Sequence, residues 1–359
     1  MLLKTHLSKI RLFISLYIAL SCQLTLANPI QIGGFFSTGV AHTNKENALL
    51  TNNRIEDKTN YLSDTVFGLQ LDTRLSQKSR FSAQLQAEDR NNTFDLEAEW
   101  LFVSHELSPN IELRAGRLRL PLYFISETIN VDQSYDWVRP PMEVYALTGG
   151  LTNYNGVSAL FKHHFSASSI EAELYKGQAK DITIILNSPL FIDTHQFYGG
   201  QFTYTADHIV ARISRAHLDI TATFGGTSPP LDLGEVNISE AGLHYTRNSW
   251  GGLVEYADVR VIDKGKINAY YVTLTYNFAK VTPIITFSRS RTNTPYTITT
   301  VQGDSVSAGF RYNLTDRSSM KLEILRGRLL DGPAYTFTDP PPNFDEKVTL
   351  YSMTLNLIF

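Results

Sequence analysis

Four groups of residues have types and spacings on which chemistry could be built. The first is Gly303-Asp304-Ser305, a serine beside a carboxylate, the kind of block that nucleophilic hydrolases use. It lacks the G-x-S-x-G elbow and reads as a Gly-Asp turn ahead of a strand. The second is His163-His164. On a strand, adjacent side chains point to opposite faces, which is wrong for one shared metal ion. The third is Glu97 and Glu99, two apart and so on one face: a carboxylate pair, or a solvated wall. The fourth is Arg114-x-x-Arg117-x-Arg119, the strongest basic cluster, suited to holding anions or setting a local field. Strict alternation would aim Arg114 and Arg117 to opposite faces, so a bulge at Gly116 is expected to bring them together. His217 and His244 have no spacing that links them. No H-E-x-x-H, P-loop or dinucleotide fingerprint occurs. The expectation is no catalytic residue, no metal and no cofactor.

The elements that carry these groups are strands. After residue 27 the hydrophobic period is two, not 3.6. Phe81, Ala83, Leu85 and Ala87 interleave with Ser82, Gln84, Gln86 and Glu88. Val306, Ala308, Phe310 and Tyr312 interleave with Ser307, Gly309 and Arg311. About sixteen such segments of ~9–11 residues follow one another, the length of a tilted membrane strand. They start near Ile30, Thr65, Ser79, Phe94, Asn110, Asn155, Ser169, Gln196, His208, Ser239, Ser249, Asn268, Lys280, Ser305, Ser318 and Val348. The alternation slips near Gly116 and near Arg215, where bulges are expected.

The connections alternate in length. Short ones include Ser76-Gln77-Lys78, Ser108-Pro109, Ala206-Asp207, Arg247-Asn248 and Thr315-Asp316-Arg317. Long ones fall near 43–63, 120–154, 176–194, 219–238, 261–267, 291–304 and 329–347. A soluble sandwich has no reason for this asymmetry; a membrane barrel with turns on one side and loops on the other does. The polar faces carry charges in strand interiors: Asp72 and Arg74, Glu97 and Glu99, Glu112 and Arg114, Glu171 and Glu173, Lys321 and Glu323. A dry core would make these costly, whereas a wet lumen would not. Phe35, Trp100, Phe102, Tyr204, Trp250, Tyr256, Phe278, Phe287 and Tyr312, near strand ends, suit interfacial girdles. An open sheet in lipid would leave its edges unsatisfied, so the first and last strands must pair.

Composition hides this. Of 359 residues 43% are hydrophobic and 19% charged, which passes for a soluble protein because only alternate strand residues need be apolar. Residues 1–27 read as a signal peptide: Lys4, Lys9 and Arg11, then the apolar run Leu12 to Leu20, then Thr25-Leu26-Ala27. Its removal leaves 28–359 as one barrel domain. It also takes three cations and the single cysteine, Cys22, moving the net charge from −3 to −6. No disulfide or thiolate site is then possible, and the acidic balance argues against nucleic acid as a partner.

The chain ends on Phe359, preceded at every second position by Leu357, Leu355, Met353 and Tyr351. This looks like the C-terminal signature of bacterial outer-membrane barrels, and by that resemblance it would be read by the barrel-assembly machinery. With its leader, about sixteen strands and alternating loops, the chain resembles the Gram-negative general porin superfamily. The resemblance implies an all-β antiparallel barrel in outer-membrane lipid, a homotrimer, and passive diffusion of ions and small hydrophilic solutes. It also implies that the third long loop, here 120–154, folds inward and sets loop acids against a basic wall. Matching positions are Glu127, Asp132, Asp136 and Glu143 facing Arg74, Arg114, Arg117 and Arg119. Tyr135-Asp136-Trp137-Val138-Arg139-Pro140-Pro141 is the most distinctive run of that loop. Rival readings are a substrate-selective, anion-preferring channel, a barrel whose loops serve adhesion or receptor roles, and an outer-membrane hydrolase.

Overall fold

The computed structural model describes residues 29–45, 55, 57–90, 93–148, 150–180, 182–185, 189–224, 229–293, 301–331 and 347–359. The expected signal peptide, 1–27, lies outside the described residues, as does most of the expected loop at 329–347. Among them are seventeen strands. These are β1 (Gln31–Thr43), β2 (Val66–Arg74), β3 (Ser79–Arg90), β4 (Thr93–Ser108), β5 (Ile111–Arg119), β6 (Asn153–His164), β7 (Ser168–Gln178), β8 (Ile182–Ile185) and β9 (Pro189–Ala206). They continue as β10 (Ile209–Phe224), β11 (Leu231–Arg247), β12 (Trp250–Val261), β13 (Gly265–Tyr276), β14 (Val281–Asn293), β15 (Val301–Thr315), β16 (Ser318–Asp331) and β17 (Lys347–Ile358).

Each strand pairs antiparallel with the next, except that β7 pairs with β9 and passes over β8, which only extends the loop end of β9. β17 returns to β1 with Phe36 opposite Leu357 and Val40 opposite Met353. Sixteen strands therefore close a barrel with no free edge, which is what a bilayer demands. A sheet of that number encloses more space than wall side chains can fill.

All but three of the expected strand starts fall within three residues of the observed ones. The exceptions, Gln196, Ser239 and Ser305, begin earlier, at Pro189, Leu231 and Val301. Much of the expected loop sequence at 176–194 and 219–238 is thus strand, and β9 to β11 run 16 to 18 residues instead of ~9–11. The reason is visible in the faces. Beyond Ser214 the pattern inverts: Ala216, Leu218, Val236, Ile238, Ala257 and Val259 are buried inside, while Arg215, His217, Asn237 and Ser239 face out. These hairpins continue past the apolar band, with an apolar interior and a polar exterior. The slip near Arg215 is this inversion. The register shift itself lies further on, at Asp219 to Thr221.

The membrane faces follow the alternation. Along β17, Tyr351, Met353, Leu355, Leu357 and Phe359 face out and Ser352, Thr354 and Asn356 are buried inside. The Phe359 N–H donates to the Gly34 carbonyl, and its ring stacks on Phe67. Trp250, Tyr276 and Phe278 cluster at the turn-side rim. Phe35 and Phe102 do not belong to a girdle: both face inward. Phe35 fills the space beside Gly68, and Phe102 packs against the interior cluster. Gly303, Asp304 and Ser305 lie within β15, not in a turn. Asp304 faces outward and pairs with Arg289 and Arg328, while Ser305 faces inward and bonds Ser288.

Candidate functional site

The connection between β5 and β6 enters the barrel and crosses it. It holds two short 3-10 turns, Ser126–Thr128 and Asp132–Ser134, and one helical turn, α1 (Met142–Tyr145). A chain segment of this length inside the lumen must satisfy its backbone groups and bury its aromatics. It does both against β10 to β17 and β1.

Polar wall groups hold the backbone. Ser214 Oγ donates to the Leu122 carbonyl at 2.5 Å, and the Phe124 N–H donates to Glu255 Oε1 at 3.0 Å. Lys321 Nζ donates to the Asp132 and Trp137 carbonyls, at 2.5 and 2.7 Å, and lies 4.2 Å from the Tyr135 ring centroid. Arg311 donates to the Gln133 and Tyr135 carbonyls and stands 3.5 Å from the Asp136 carboxylate. Arg139 runs the other way, from the loop to Asp64 at 2.5 Å and Ser352 Oγ at 2.7 Å. Charged donors on carbonyls are strong hydrogen bonds, and here they are shielded from water.

Aromatic packing fixes the depth. Trp137, 4% exposed, donates Nε1–H to Thr286 Oγ1 at 2.9 Å and stands edge-on to Tyr271. Tyr145 and Tyr271 both donate to Glu255 Oε2. Phe124 lies over Gly242, where a Cβ would stand 2.6 Å from the ring, so only glycine leaves room.

The expected site residues divide. Of the four loop acids, only Glu127 comes to the arginines: it is exposed and acts electrostatically on Arg114 and Arg119. Asp132 accepts from Ser37 and Tyr135 on the β1 side. Asp136 faces Arg311. Glu143 is buried against β14, where Ser288 Oγ donates to it at 2.6 Å. Burial pushes the Glu143 carboxyl above its ordinary 4.5, against the lowering effect of its hydroxyl and backbone hydrogen bonds. Arg74 is exposed at the far end of β2 beside the Leu75–Lys78 turn, opposite Arg80, and does not join the others.

Arg114 and Arg119 share the wall the loop leaves uncovered, where Glu127 acts on both, and Arg117 has its own partner on β4. Arg114 bonds Glu112 at 2.6 Å and lies 3.9 Å from Glu173. Arg117 pairs with Glu97 and Arg119 with Glu99. Arg119 also donates Nε–H to the Ser126 carbonyl at 2.8 Å, holding the loop edge to this wall. The backbone turns at Gly116, which has φ 138° and whose Cβ would meet the Leu101 carbonyl at 2.3 Å. The register of β5 is unbroken there. The bulge lies across from it in β4, where Gln84 pairs with Trp100 and Leu85 with Ala98, leaving Glu99 as the extra residue. The expected device is therefore split between two strands.

Beside this wall, between β1, β2 and Val131 of the loop, is a cavity of ≈ 370 Å³ lined in part by Gln70 and Asp72. A wet half-lumen remains open next to a half-lumen whose polar wall groups the loop has covered. Lys321, Arg311, Arg139 and Glu255 were not candidates from sequence. The only signals were the charge alternation at Lys321 and Glu323 and the distinctive run through Trp137.

The closed antiparallel barrel is shared with solved structures. An anion-selective porin from Comamonas acidovorans superposes with a TM-score of 0.62 at 16% identity, over 92% of this chain and 99% of that one. An OmpF from Salmonella typhi, in complex with daunomycin, gives 0.63 at 12%, over 92% and 98%. The trimer form of OmpT from Vibrio cholerae gives 0.59 at 11%, over 92% and 99%. No curated protein sequence matches the chain significantly. At these identities the likeness establishes the fold, but a family profile described as Gram-negative porin matches residues 15–329, and with most of the sequence covered the chain belongs to the Gram-negative porin family.

Proposed function

We propose that this porin is a water-filled outer-membrane channel for small hydrophilic solutes with a preference for cations. The observation that carries the preference is the make-up of the uncovered wall. Three arginines, Arg114, Arg117 and Arg119, are bonded or electrostatically coupled to six carboxylates, Glu88, Glu97, Glu99, Glu112, Glu127 and Glu173. With all groups ionised the cluster is net negative. A narrow mouth with low-dielectric walls focuses such a field and raises the local concentration of the opposite ion. This differs from the anion-preferring alternative, which would need the arginines unmatched.

The constriction is formed by the loop edge at Ser126 to Val131 against β2 to β5, with Glu127 as its acidic contribution. The basic-wall, acidic-loop arrangement is replaced by arginines and glutamates interleaved on one wall. Three further readings rest on sequence: export through residues 1–27, recognition of the Phe359 strand by the assembly machinery, and a homotrimer, for which the trimeric OmpT of like fold is a precedent.

The test is planar-bilayer recording of the purified protein in a KCl gradient, with liposome swelling in uncharged sugars of graded size. Size-graded swelling and a reversal potential of cation sign are the expected results. Absence of conductance would overturn the channel, and a reversal potential of anion sign would overturn the preference.

A further inference from the structure

On the inner wall from β1 to β5 the carboxylates divide by partner. Glu97, Glu99 and Glu112 each pair with an arginine. Asp72, two residues before the end of β2, does not. It accepts from Gln70 Nε2 at 2.7 Å and from Ser82 Oγ at 2.5 Å, and among the described residues no cation stands within ion-pair distance of it. Two neutral donors take up part of the acceptor capacity of a carboxylate and leave its charge uncompensated.

Asp72 lines the cavity of ≈ 370 Å³ between β1, β2 and the loop. That volume lies in the ordinary range of small-molecule sites. Gln31 and Gly33 face inward from β1, opposite Asp72 and Gln70. Gly33 keeps the cavity open: a Cβ built there meets only the Phe359 carbonyl, at 3.5 Å, so a side chain would take up free space. Val131 closes the loop side. Gln70 directs its Nε2 to Asp72, and its Oε1 has only a weak partner, Gln84 Nε2 at 3.4 Å. The polar side chains of the lining are thus one carboxylate and two carboxamides, and the rest is apolar or glycine.

One class of solute matches this lining: an ammonium head with several N–H donors, carried on a short apolar stem. A neutral polyol would leave the carboxylate charge unanswered, and an anion would be repelled by it. A metal ion would find a single carboxylate, and among the described residues no three His, Cys, Asp or Glu are grouped to hold one.

We propose that this cavity is a binding subsite for primary-amine solutes on the turn side of the constriction, where Asp72 and Gln70 accept from the ammonium and Val131 covers the stem. The subsite rests on the channel reading, which brings solutes to it, and names a class of cation that is held as well as passed.

The probe is n-butylammonium, added to planar bilayers holding the purified full chain in KCl. Tetramethylammonium, with the same charge and no N–H, and glucose are the comparisons. Block is read as a fraction of the open current, so a change in conductance does not enter. The wild type is expected to show saturable block by butylammonium, with an apparent Kd at least about tenfold below that of tetramethylammonium, the worth of one charge-assisted hydrogen bond. Asp72→Asn should raise that Kd about tenfold. Gly33→Val fills the cavity, keeps the charge and should abolish saturation. Retention of the wild-type Kd by Gly33→Val overturns the subsite, because a diffuse field would survive the filling. So does equal block by the two cations, or saturable block by glucose alone. Saturation-transfer NMR with butylammonium on the detergent-solubilised chain reads the same binding without current. Conductance without amine binding overturns this proposal alone, and amine binding without conductance overturns the channel alone.

Discussion

The two flanks of the inserted loop use similar side chains for opposite ends. On the β13 to β17 flank, Lys321 and Arg311 donate to loop carbonyls, Trp137 is packed among threonines and Tyr271, and Glu143 is closed off behind Ser288. On the β2 to β7 flank, Arg117 and Glu97 remain 27% and 35% exposed. A cation beside a carbonyl in a water-free seam is a fastener, because the carbonyl has no other partner. A cation beside a carboxylate in a wet lumen is part of a field, because water and ions reach both. Residue type does not distinguish them; burial and the partner do.

The comparison can be broken first at the seam. Trp137→Ala removes the largest buried aromatic of the loop and should cost about 3–5 kcal/mol, the range for large-to-small core changes. Urea unfolding should show it, and open-channel noise should rise as the loop loosens. Lys321→Met should cost about 2–4 kcal/mol, since two buried carbonyls lose their donor and each unsatisfied acceptor is worth about 1–3. Unchanged proteolysis of the loop in this variant would mean that the lysine is not its fastener.

Glu143 gives the seam a pH dependence. Its carboxyl titrates above 4.5 in the folded protein, so the folded state binds the proton more tightly than the unfolded chain. Stability from this group is full below the unfolded value and declines as pH rises from about 4.5 through the higher folded value. Loop docking should therefore weaken as pH rises across that window, and Glu143→Gln should flatten the dependence. A pH profile identical in the two proteins would remove Glu143 from the seam.

The wet flank should answer in selectivity, with little change in stability. Arg117→Glu deepens the negative field and should move the reversal potential further toward cations; Glu127→Lys should move it the other way. Both shifts should shrink at 1 M salt, where screening is about 3 Å. The smallest effect belongs to Arg74→Gln. At the turn end of β2 it should leave the reversal potential within error, and a shift comparable to that of Arg117→Glu would return Arg74 to the constriction.

Much of this was legible in the chain. Alternation placed the faces of β17 correctly from Tyr351 to Phe359, and turn chemistry located the short connections, with Asn248 adopting positive φ in one of them. The run Arg114, Arg117 and Arg119 was legible as basic, and in the structure each of the three has a glutamate partner. What failed were assignments that depend on where the loop rests. Asp132, Asp136 and Glu143 lie within twelve residues of one another in sequence and face three different parts of the wall. Phe35 and Phe102 carry the same pattern as girdle aromatics and turn inward, because period two gives two faces without saying which one meets lipid at a given height.

Period two, turn length and a terminal aromatic strand are local properties, and by themselves they determined a closed antiparallel barrel with a wet interior. Each is imposed by backbone hydrogen bonding and the medium on either side of one strand, so each could be read one strand at a time. Which half of the lumen the loop fills was decided only by the tertiary structure. That choice joins Lys321 to Trp137 and Arg119 to Ser126, pairs separated by 184 and 7 residues, through contacts on opposite sides of a barrel. No periodicity records which wall an inserted segment will face, because the burial of Trp137 and the matching of Lys321 to bare carbonyls exist only once sixteen strands have closed around them.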